Sequence, residues 1–291
     1  MSRAFVARGA HAARSSISVV VNTHERPRAL DAVLRALSEQ SDAAFDVVVA
    51  DDGSGPETRE VVERWRRVFG TRLEHVWQPD EGFRLALARN RGALAARGRY
   101  LVFLDGDSVP RSRFVEAMRR SARRSWFVAG RRLELSPRLT ERLLSANAPI
   151  HRRSLATWLL SARDVSRLST LTSRDRRVVG GRGVPEFEPH GRAYGFLLGV
   201  FRRDFERANG YDSRFVGWGE EDVDLATRLR RLGLRCGHAG PQATVLHLWH
   251  PPQDERERSN WALLLETTAA DRIEAEHGLL ELARTADASV A

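Results

Sequence analysis

The sequence predicts an α/β protein with a mainly parallel central sheet and helices on both of its faces. Short apolar runs alternate with amphipathic segments from residue 17 to residue 104, which is typical of parallel strands joined by crossover helices. The runs are rich in valine and show no polar alternation, as expected for strands that are buried on both faces. A chain of 291 residues is long enough for one large domain of this class.

Four strands and three helices are predicted in the first part of the chain. The first helix begins at Pro27, because proline suits the first helical position, and it places Leu30, Val33 and Leu37 on one face. The predicted strands are Ile17–Val21, Phe45–Ala50, Leu73–Trp77 and Tyr100–Leu104, and the two later helices are Glu57–Val68 and Leu85–Ala96.

The second part of the chain is less regular. Residues 131–190 are rich in arginine and contain no predicted strand, although Leu139–Leu144 and Leu155–Leu160 have helical patterns. Regular patterns resume at Tyr194. They predict an apolar stretch to Phe201, a short helix, an acidic helix, a strand at Ala243–Leu248 and a last helix through about Glu276.

Composition excludes several classes of protein. The formal net charge is +9, and all 47 basic residues are arginine. Such an excess can attract phosphates, but the arginines are spread among acids without a nucleic-acid-binding motif, which argues against nucleic acid as a partner. No apolar run approaches the roughly 20 residues of a membrane span. Cys236 is the only cysteine, so an internal disulfide is excluded and a cytoplasmic location is expected.

The most informative stretch is an acidic run that follows two glycines. Residues 217–225 read GWGEEDVDL and contain four carboxylates within five residues. Such crowding of like charge is costly, which favours a functional site. Leu225, Leu229 and Leu232 follow at helical spacing, so the acids lie at a helix N-terminus, where negative charge is favoured. Simple helix capping remains open as the alternative.

Two pairs of acids follow predicted strands. Asp51 and Asp52 come after the second strand, and Asp105 and Asp107 after the fourth. Ligands of open α/β sheets bind beyond the carboxyl ends of strands. Gly106 allows a tight bend between the second pair, and two carboxylates from one bend suit Mg²⁺ or Mn²⁺ bridging a diphosphate.

A pair of histidines follows the last predicted strand. His247 and His250 flank Leu248-Trp249 and precede two prolines. Imidazole is a ligand that Mn²⁺ tolerates better than Mg²⁺, so one of the pair is expected to face the same ion as Asp107. His250, at the turn, is the better candidate, and a purely structural pair remains open.

Five motifs in order resemble those of known glycosyltransferases. VVVNTHERP, VVVADDGS, LARNRG and YLVFLDGD are similar to the nucleotide-sugar half of family-2 glycosyltransferases with the GT-A (Rossmann-like) fold. The later ANGYDSRFVGWGEEDVDLATRLRRLG resembles the C-terminal segment shared by β-1,4-galactosyltransferases and polypeptide N-acetylgalactosaminyltransferases. HLWHPP also falls where those enzymes place a metal-binding histidine. The resemblance covers residues 17–110 and 194–260.

The resemblance implies a role for each matching residue. Mn²⁺, or Mg²⁺, would be held by Asp107 with His250 or His247, and a UDP-sugar would be the donor substrate. Asp222 would act as general base on the acceptor hydroxyl, beside Glu221. The implied donor-binding residues are Thr23, Glu25, Arg26, Asp51, Asp52, Arg84, Arg89, Asp105 and Trp218.

One fused domain with two functional halves is therefore expected. Residues 16–130 would bind the nucleotide sugar, and residues 131–280 would bind the acceptor and carry the base, between tails at 1–15 and 281–291. Galactosyltransferases usually have glycine where this chain has Glu220, which leaves the donor sugar and acceptor undefined. A sugar nucleotidyltransferase and a catalytically inactive sugar-nucleotide-binding module remain alternatives. The acceptor would be a sugar or another small molecule.

Overall fold

Strands in the described part of the chain form two sheets. The computed structural model describes residues 16–152, 165–167, 197–251 and 258–288. In chain order the strands are β1 (Ile17–Thr23), β2 (Phe45–Asp51), β3 (Leu73–Trp77), β4 (Tyr100–Asp105), β5 (Ser108–Pro110), β6 (Trp126–Ala129), β7 (Arg132–Leu135), β8 (Val165–Arg167), β9 (Leu197–Phe201), β10 (Arg235–His238) and β11 (Val245–His247).

The larger sheet has seven strands in the order β10-β6-β9-β4-β1-β2-β3. β1 pairs in parallel with both β2 and β4, and β2 pairs in parallel with β3. β9 lies antiparallel between β4 and β6. The smaller sheet has the order β5-β11-β7-β8. The predicted mainly parallel sheet is confirmed, with one antiparallel strand inserted in it.

Helices cover both faces of the larger sheet. Val102 and Leu104 of β4 pack in one apolar cluster, whereas Leu101 and Phe103 pack in the other. A strand that is buried on both faces needs apolar residues at every position, which explains the unbroken run. The helices are α1 (Pro27–Ser38), α2 (Pro56–Phe69), α3 (Leu85–Ala95), α4 (Phe114–Ser121), α5 (Pro137–Ser145), α6 (Arg202–Arg207), α7 (Glu221–Arg231), α8 (Arg258–Ala269) and α9 (Leu279–Ala288).

The structure corrects two predictions of secondary structure. Residues 131–190 were expected to lack strands, yet β7 and β8 both lie there. The last helix was expected to run to about Glu276 before a frayed end, but α8 ends at Ala269 and α9 follows. Leu279, the first residue of α9, is buried in the second apolar cluster and anchors the start of this helix. The predicted helix at Leu155–Leu160 lies outside the described residues.

Two expectations drawn from composition can be compared with the structure. Among the described residues, no helix has both the length and the apolar character needed to cross a membrane. Cys236 is buried on β10, and its burial raises the pKa of the thiol to about 11. A thiol with this pKa stays protonated and unreactive near neutral pH.

Candidate active site

The carboxyl ends of four neighbouring strands meet at one edge of the larger sheet. Thr23 at the end of β1 is paired in register with Asp51 of β2, and Asp51 is paired with Trp77 of β3. On the other side of β1, Asn22 is opposite Asp105 of β4. Both predicted pairs of acids therefore lie at the same edge, where ligands of open α/β sheets bind.

The turn Asp105-Gly106-Asp107 passes from the larger sheet to the smaller one. The Gly106 N–H donates to the Asn22 carbonyl at 2.8 Å. A Cβ atom at Gly106 would lie 2.7 Å from that carbonyl oxygen, so only glycine allows the turn to approach β1 this closely. The turn thereby fixes Asp107 above the carboxyl end of β1.

Strand pairing brings the two histidines to Asp107. β11 is antiparallel to β5, and His247 is opposite Ser108. The Leu248 N–H donates to the Asp107 carbonyl at 2.9 Å. His247 Nε2 lies 3.5 Å from Asp107 Oδ1, and His250 Nε2 lies 3.5 Å from Asp107 Oδ2.

Asp107, His247 and His250 fit a divalent cation. One ligand atom from each lies within 4.8 Å of the others. Asp107 Oδ1 is buried and has no hydrogen-bond partner among the described residues. His250 Nδ1 is 2.8 Å from the Pro251 carbonyl; this contact requires a proton on Nδ1 and leaves the Nε2 lone pair for a metal. Mixed oxygen and imidazole donors suit Mn²⁺ better than Mg²⁺.

His247 is the more deeply placed of the two histidines. Burial lowers the pKa of its imidazole, and the negative charge of Asp107 only partly offsets this effect. The ring is therefore neutral near pH 7, which is the form that binds metals. The structure places both histidines beside Asp107, and it does not rank them as ligands.

A buried arginine connects the two halves of the site. Arg89 on α3 is 1% exposed and donates to Glu221 Oε1 at 2.9 Å and to Asp105 Oδ1 at 3.1 Å. Its guanidinium lies over the Tyr211 ring at 5.1 Å. Burial opposes the charged form, but the surrounding acids outweigh it and keep the pKa of Arg89 above its usual value.

Asn22 of β1 contacts both Arg89 and Asp105. Asn22 Nδ2 donates to Asp105 Oδ1 at 3.1 Å, and Arg89 Nε is 3.5 Å from Asn22 Oδ1. The structure places Arg89 between Asp105 at the end of β4 and Glu221 at the start of α7. A contact of Arg89 with the phosphate or sugar of a donor stays a prediction.

The loop before α7 has an unusual backbone. Gly217, Gly219 and Glu220 have φ values of 82°, 102° and 74°, in the left-handed region that favours glycine. The Gly217 N–H donates to the Phe83 carbonyl at 2.8 Å. Asn260 donates to the Gly219 carbonyl at 3.0 Å. These bonds fix the start of α7 and leave Trp218 42% exposed.

The acids of α7 have different surroundings. Glu221 is bound to Arg89, and Asp224 forms a buried pair with Arg228 at 2.7 Å. Asp222 is only half-buried, and its Oδ1 accepts from the Val223 N–H at 2.8 Å. Asp222 is therefore the acid at the start of α7 that is not fully buried.

Asp51 and Asp52 organise the loop after β2. Asp51 accepts from the Ser54 N–H at 2.9 Å and lies 2.9 Å from His75 Nε2. Burial raises the pKa of Asp51, but these bonds outweigh it and hold the pKa below its usual value. Burial raises the pKa of Asp52 above its usual value. His75 sits in the middle of an otherwise ordinary strand, so no sequence pattern indicated its contact with Asp51.

The other predicted donor-binding residues are also tied to this loop. Asp52 accepts from Gln78 at 2.5 Å and from the Arg84 N–H at 2.7 Å. The Arg84 guanidinium donates to Glu81 at 2.5 Å and to the Pro79 carbonyl at 2.7 Å. Glu25 accepts from the Gly55 N–H at 2.6 Å. Their contacts with a nucleotide stay a prediction.

The sheet topology and the acidic residues at the carboxyl ends of its strands define a class of enzyme. A mainly parallel sheet with an Asp-x-Asp turn after its central strand, facing a separate acidic helix, is the GT-A arrangement of glycosyltransferases. Within that class, the chain belongs to glycosyl transferase family 2, whose sequence model matches residues 18–175. A second family model, described as the N-terminal domain of galactosyltransferase, matches residues 182–250. The predicted family and enzyme class are confirmed.

Curated relatives support the same family. The chain is 31% identical over 231 residues to validoxylamine A glucosyltransferase of Streptomyces hygroscopicus subsp. jinggangensis, covering 75% of this chain and 52% of that protein. It is 25% identical over 250 residues to chondroitin synthase of Escherichia coli, covering 83% of this chain and 36% of that protein. The chain thus spans about half the length, or less, of these relatives.

Solved structures show the same fold. The structure of GalNAc-T7 with UDP, GalNAc and Mn²⁺ superposes with a TM-score of 0.64 at 18% identity, covering 87% of this chain and 48% of that one. The mannosyltransferase PcManGT from Pyrobaculum calidifontis, in complex with GDP-Man and Mn²⁺, superposes with a TM-score of 0.55 at 17% identity, covering 89% and 70%. At these identities the likeness concerns the fold alone.

Proposed function

We propose that this protein is an inverting, metal-dependent glycosyltransferase that moves a sugar from a UDP-sugar to an acceptor hydroxyl. The observation that carries the proposal is the arrangement around Arg89. This residue binds Asp105 of the Asp-x-Asp turn on one side and Glu221 on the other. Arg89 thereby links the turn that carries Asp107 to the start of α7, which carries Asp222.

On the donor side, the side chains bind and orient. Asp107, His247 and His250 would hold Mn²⁺, which supplies positive charge to the leaving diphosphate when bound. The nucleotide would lie over the carboxyl ends of β1 and β2, near Thr23 and the loop after Asp51 and Asp52. The exposed ring of Trp218 would provide an apolar face for a sugar.

On the acceptor side, Asp222 would accept the hydroxyl proton. The acceptor oxygen forms a bond to the anomeric carbon as the bond from that carbon to the phosphate oxygen breaks. The electron pair of the broken bond leaves with UDP, and attack from the opposite face inverts the configuration. General-base catalysis by a positioned carboxylate contributes about 10²–10⁴-fold to such a step.

A screen of donors and acceptors tests the proposed activity. UDP-glucose and UDP-N-acetylgalactosamine form the first donor panel, with GDP-mannose as a comparison that would release GDP, and with monosaccharides and validoxylamine A as acceptors. Acceptor-dependent release of UDP that requires Mn²⁺ and stops with EDTA is the expected result. Pyrophosphate chemistry would indicate the nucleotidyltransferase alternative. Thermal stabilisation by UDP-sugar without turnover would indicate an inactive binding module. The cytoplasmic location stays a prediction.

A further inference from the structure

Arg26 contacts the metal ligands directly. Its guanidinium donates through one nitrogen to Asp107 Oδ2 and through the other to the Trp249 carbonyl at 3.3 Å. The backbone of Trp249 has a second contact, because its N–H donates to Thr140 Oγ1 at 2.9 Å. Arg26 therefore joins the loop after β1 both to Asp107 and to the backbone between the two histidines.

This contact places a cation on a metal ligand. Arg26 takes one carboxylate oxygen of Asp107, and His250 Nε2 lies 3.5 Å from that same oxygen. A divalent cation held by Asp107 and His250 would therefore share the Asp107 carboxylate with the charged guanidinium, even though Oδ1 has no hydrogen-bond partner among the described residues. Two cations at one carboxylate also repel each other. Arg26 and the metal therefore compete for Asp107.

The released guanidinium would have an anion close by. A donor diphosphate would bind within the same site, and guanidinium groups pair well with phosphate oxygens. Arg26 is the N-cap residue of α1, whose first turn contains no acid, so the helix dipole adds positive potential there. Arg84 is bound to Glu81, and Arg89 is 1% exposed. Of the three arginines predicted to bind the donor, Arg26 has the most exposed side chain, at 31%.

We infer that Arg26 is the resident cation of the metal site, and that it exchanges Asp107 for the donor diphosphate when the metal binds. The inference rests on the proposed metal site. Metal binding and donor binding then occur in that order, since Arg26 leaves Asp107 only when the metal arrives. Arg26 would oppose metal binding in the absence of nucleotide and favour nucleotide binding in the presence of metal.

The experiment measures the two affinities separately in purified full-length protein. Free Mn²⁺ is counted by electron paramagnetic resonance in the absence of nucleotide, and UDP binding is measured by calorimetry at saturating Mn²⁺. The variants are Arg26→Ala and Arg26→Gln. Arg28→Ala is the matched control, because Arg28 has the same charge two residues away and pairs with Glu141 on the surface, 3.2 Å away.

Loss of the Arg26 guanidinium should change the Mn²⁺ and UDP affinities in opposite directions. Both Arg26 variants should bind Mn²⁺ about three- to tenfold more tightly and bind UDP about tenfold more weakly, whereas Arg28→Ala should match the wild type. A merely structural role would weaken both affinities. Unchanged or weaker Mn²⁺ binding would overturn the competition, and unchanged UDP binding would overturn the exchange. Failure of the wild type to bind Mn²⁺ would instead remove the proposed metal site, and the competition with it.

Discussion

Asp222 differs from its acidic neighbours in its surroundings. Glu221 and Asp224 are each bound to a buried arginine, whereas Asp222 is half-buried at the start of α7. We expect Asp222→Asn to lower kcat by about 10²–10⁴-fold, because the amide keeps the shape but cannot accept the proton. UDP affinity, measured by calorimetry with Mn²⁺, should be unchanged.

A control for this variant exists on another helix. Asp204 also lies in the first turn of its helix, α6, and is 3.5 Å from Arg207. Asp204→Asn should retain wild-type kcat, so a loss of activity in both variants would indicate a general electrostatic effect. Near-normal turnover by Asp222→Asn alone would remove Asp222 from the role of base.

Arg89 should contribute to stability as well as to activity. Arg89→Met would leave the buried Glu221 and the half-buried Asp105 without their cation, and removing one partner of a buried pair costs about 3–5 kcal/mol. Arg89→Lys keeps the charge but not the planar fork, so it should recover only part of the loss. Urea unfolding measures both variants, with Arg91→Met on the same helix as the control. Equal stability of Arg89→Met and the control would contradict the bridging role.

The pKa shifts of Asp51 and Asp52, at the end of β2, predict opposite dependences of stability on pH. Hydrogen bonds from His75 and Ser54 outweigh burial and lower the pKa of Asp51 below 3.8. Ionised Asp51 therefore stabilises the fold above that pH, and this stability is lost as the pH falls through the folded pKa. Burial raises the pKa of Asp52 above 3.8. Its protonated form is favoured in the fold, and that contribution is lost as the pH rises through the folded pKa.

Urea unfolding between about pH 7 and about pH 3 tests this pair. Asp51→Asn should lower the free energy of unfolding at pH 7, and its difference from wild type should shrink as the pH falls. Asp52→Asn is the matched control at the neighbouring position, and it should lower the free energy of unfolding by less at pH 7. If Asp51→Asn lowered the free energy of unfolding equally at every pH, the charge of Asp51 would not contribute to stability.

At the scale of elements, long apolar runs were predictable and short strands were not. β1, β2 and β4 were predicted because each is a largely buried run of six or seven residues, whereas only Leu73 is buried in the five-residue β3. β5, β6 and β10 have only three or four residues. Such strands are too short for hydrophobic periodicity to be recognised in the sequence. β7 was missed because the alternation of Arg132 and Glu134 with Leu133 and Leu135 extends over only four residues in a stretch rich in arginine.

The same limit applies to the candidate site. Asp107 and the histidines could be proposed from residue type and from their positions after strands. The contacts of Arg26 with Asp107 and of Arg89 with Glu221 join residues 81 and 132 positions apart. Such pairs depend on the order of strands in the sheet, which local patterns do not encode. Arginine was also too common in this chain to mark a site.

The turn after β4 should tolerate no side chain at its centre. Gly106→Ala would place a Cβ atom 2.7 Å from the Asn22 carbonyl oxygen, and relieving such an overlap costs about 1–3 kcal/mol. The turn would move away from β1 and carry Asp107 with it. We expect Mn²⁺ affinity and turnover to fall together, measured by paramagnetic resonance and UDP release. Wild-type Mn²⁺ affinity in this variant would show that the metal ligands do not depend on this close approach.

At the scale of the whole molecule, the nucleotide half is not expected to fold alone. In the larger sheet, β4 has β1 on one side and β9 on the other. A fragment of residues 16–130 lacks β9 and exposes an apolar edge, which promotes aggregation. We expect this fragment to aggregate in size-exclusion chromatography and to unfold without a cooperative transition by circular dichroism. A monomeric fragment with a cooperative transition would show two independent domains.

The position of β9 also has a consequence for synthesis on the ribosome. β6 ends at Ala129, and its neighbour β9 begins only at Leu197. At about 5–20 residues per second, translation of the intervening chain takes roughly 3 to 14 s. Throughout this interval the edge of β4 is uncovered in the nascent polypeptide. Chaperones that bind extended apolar segments therefore have time to engage it, and the yield of native protein in a host cell should depend on them.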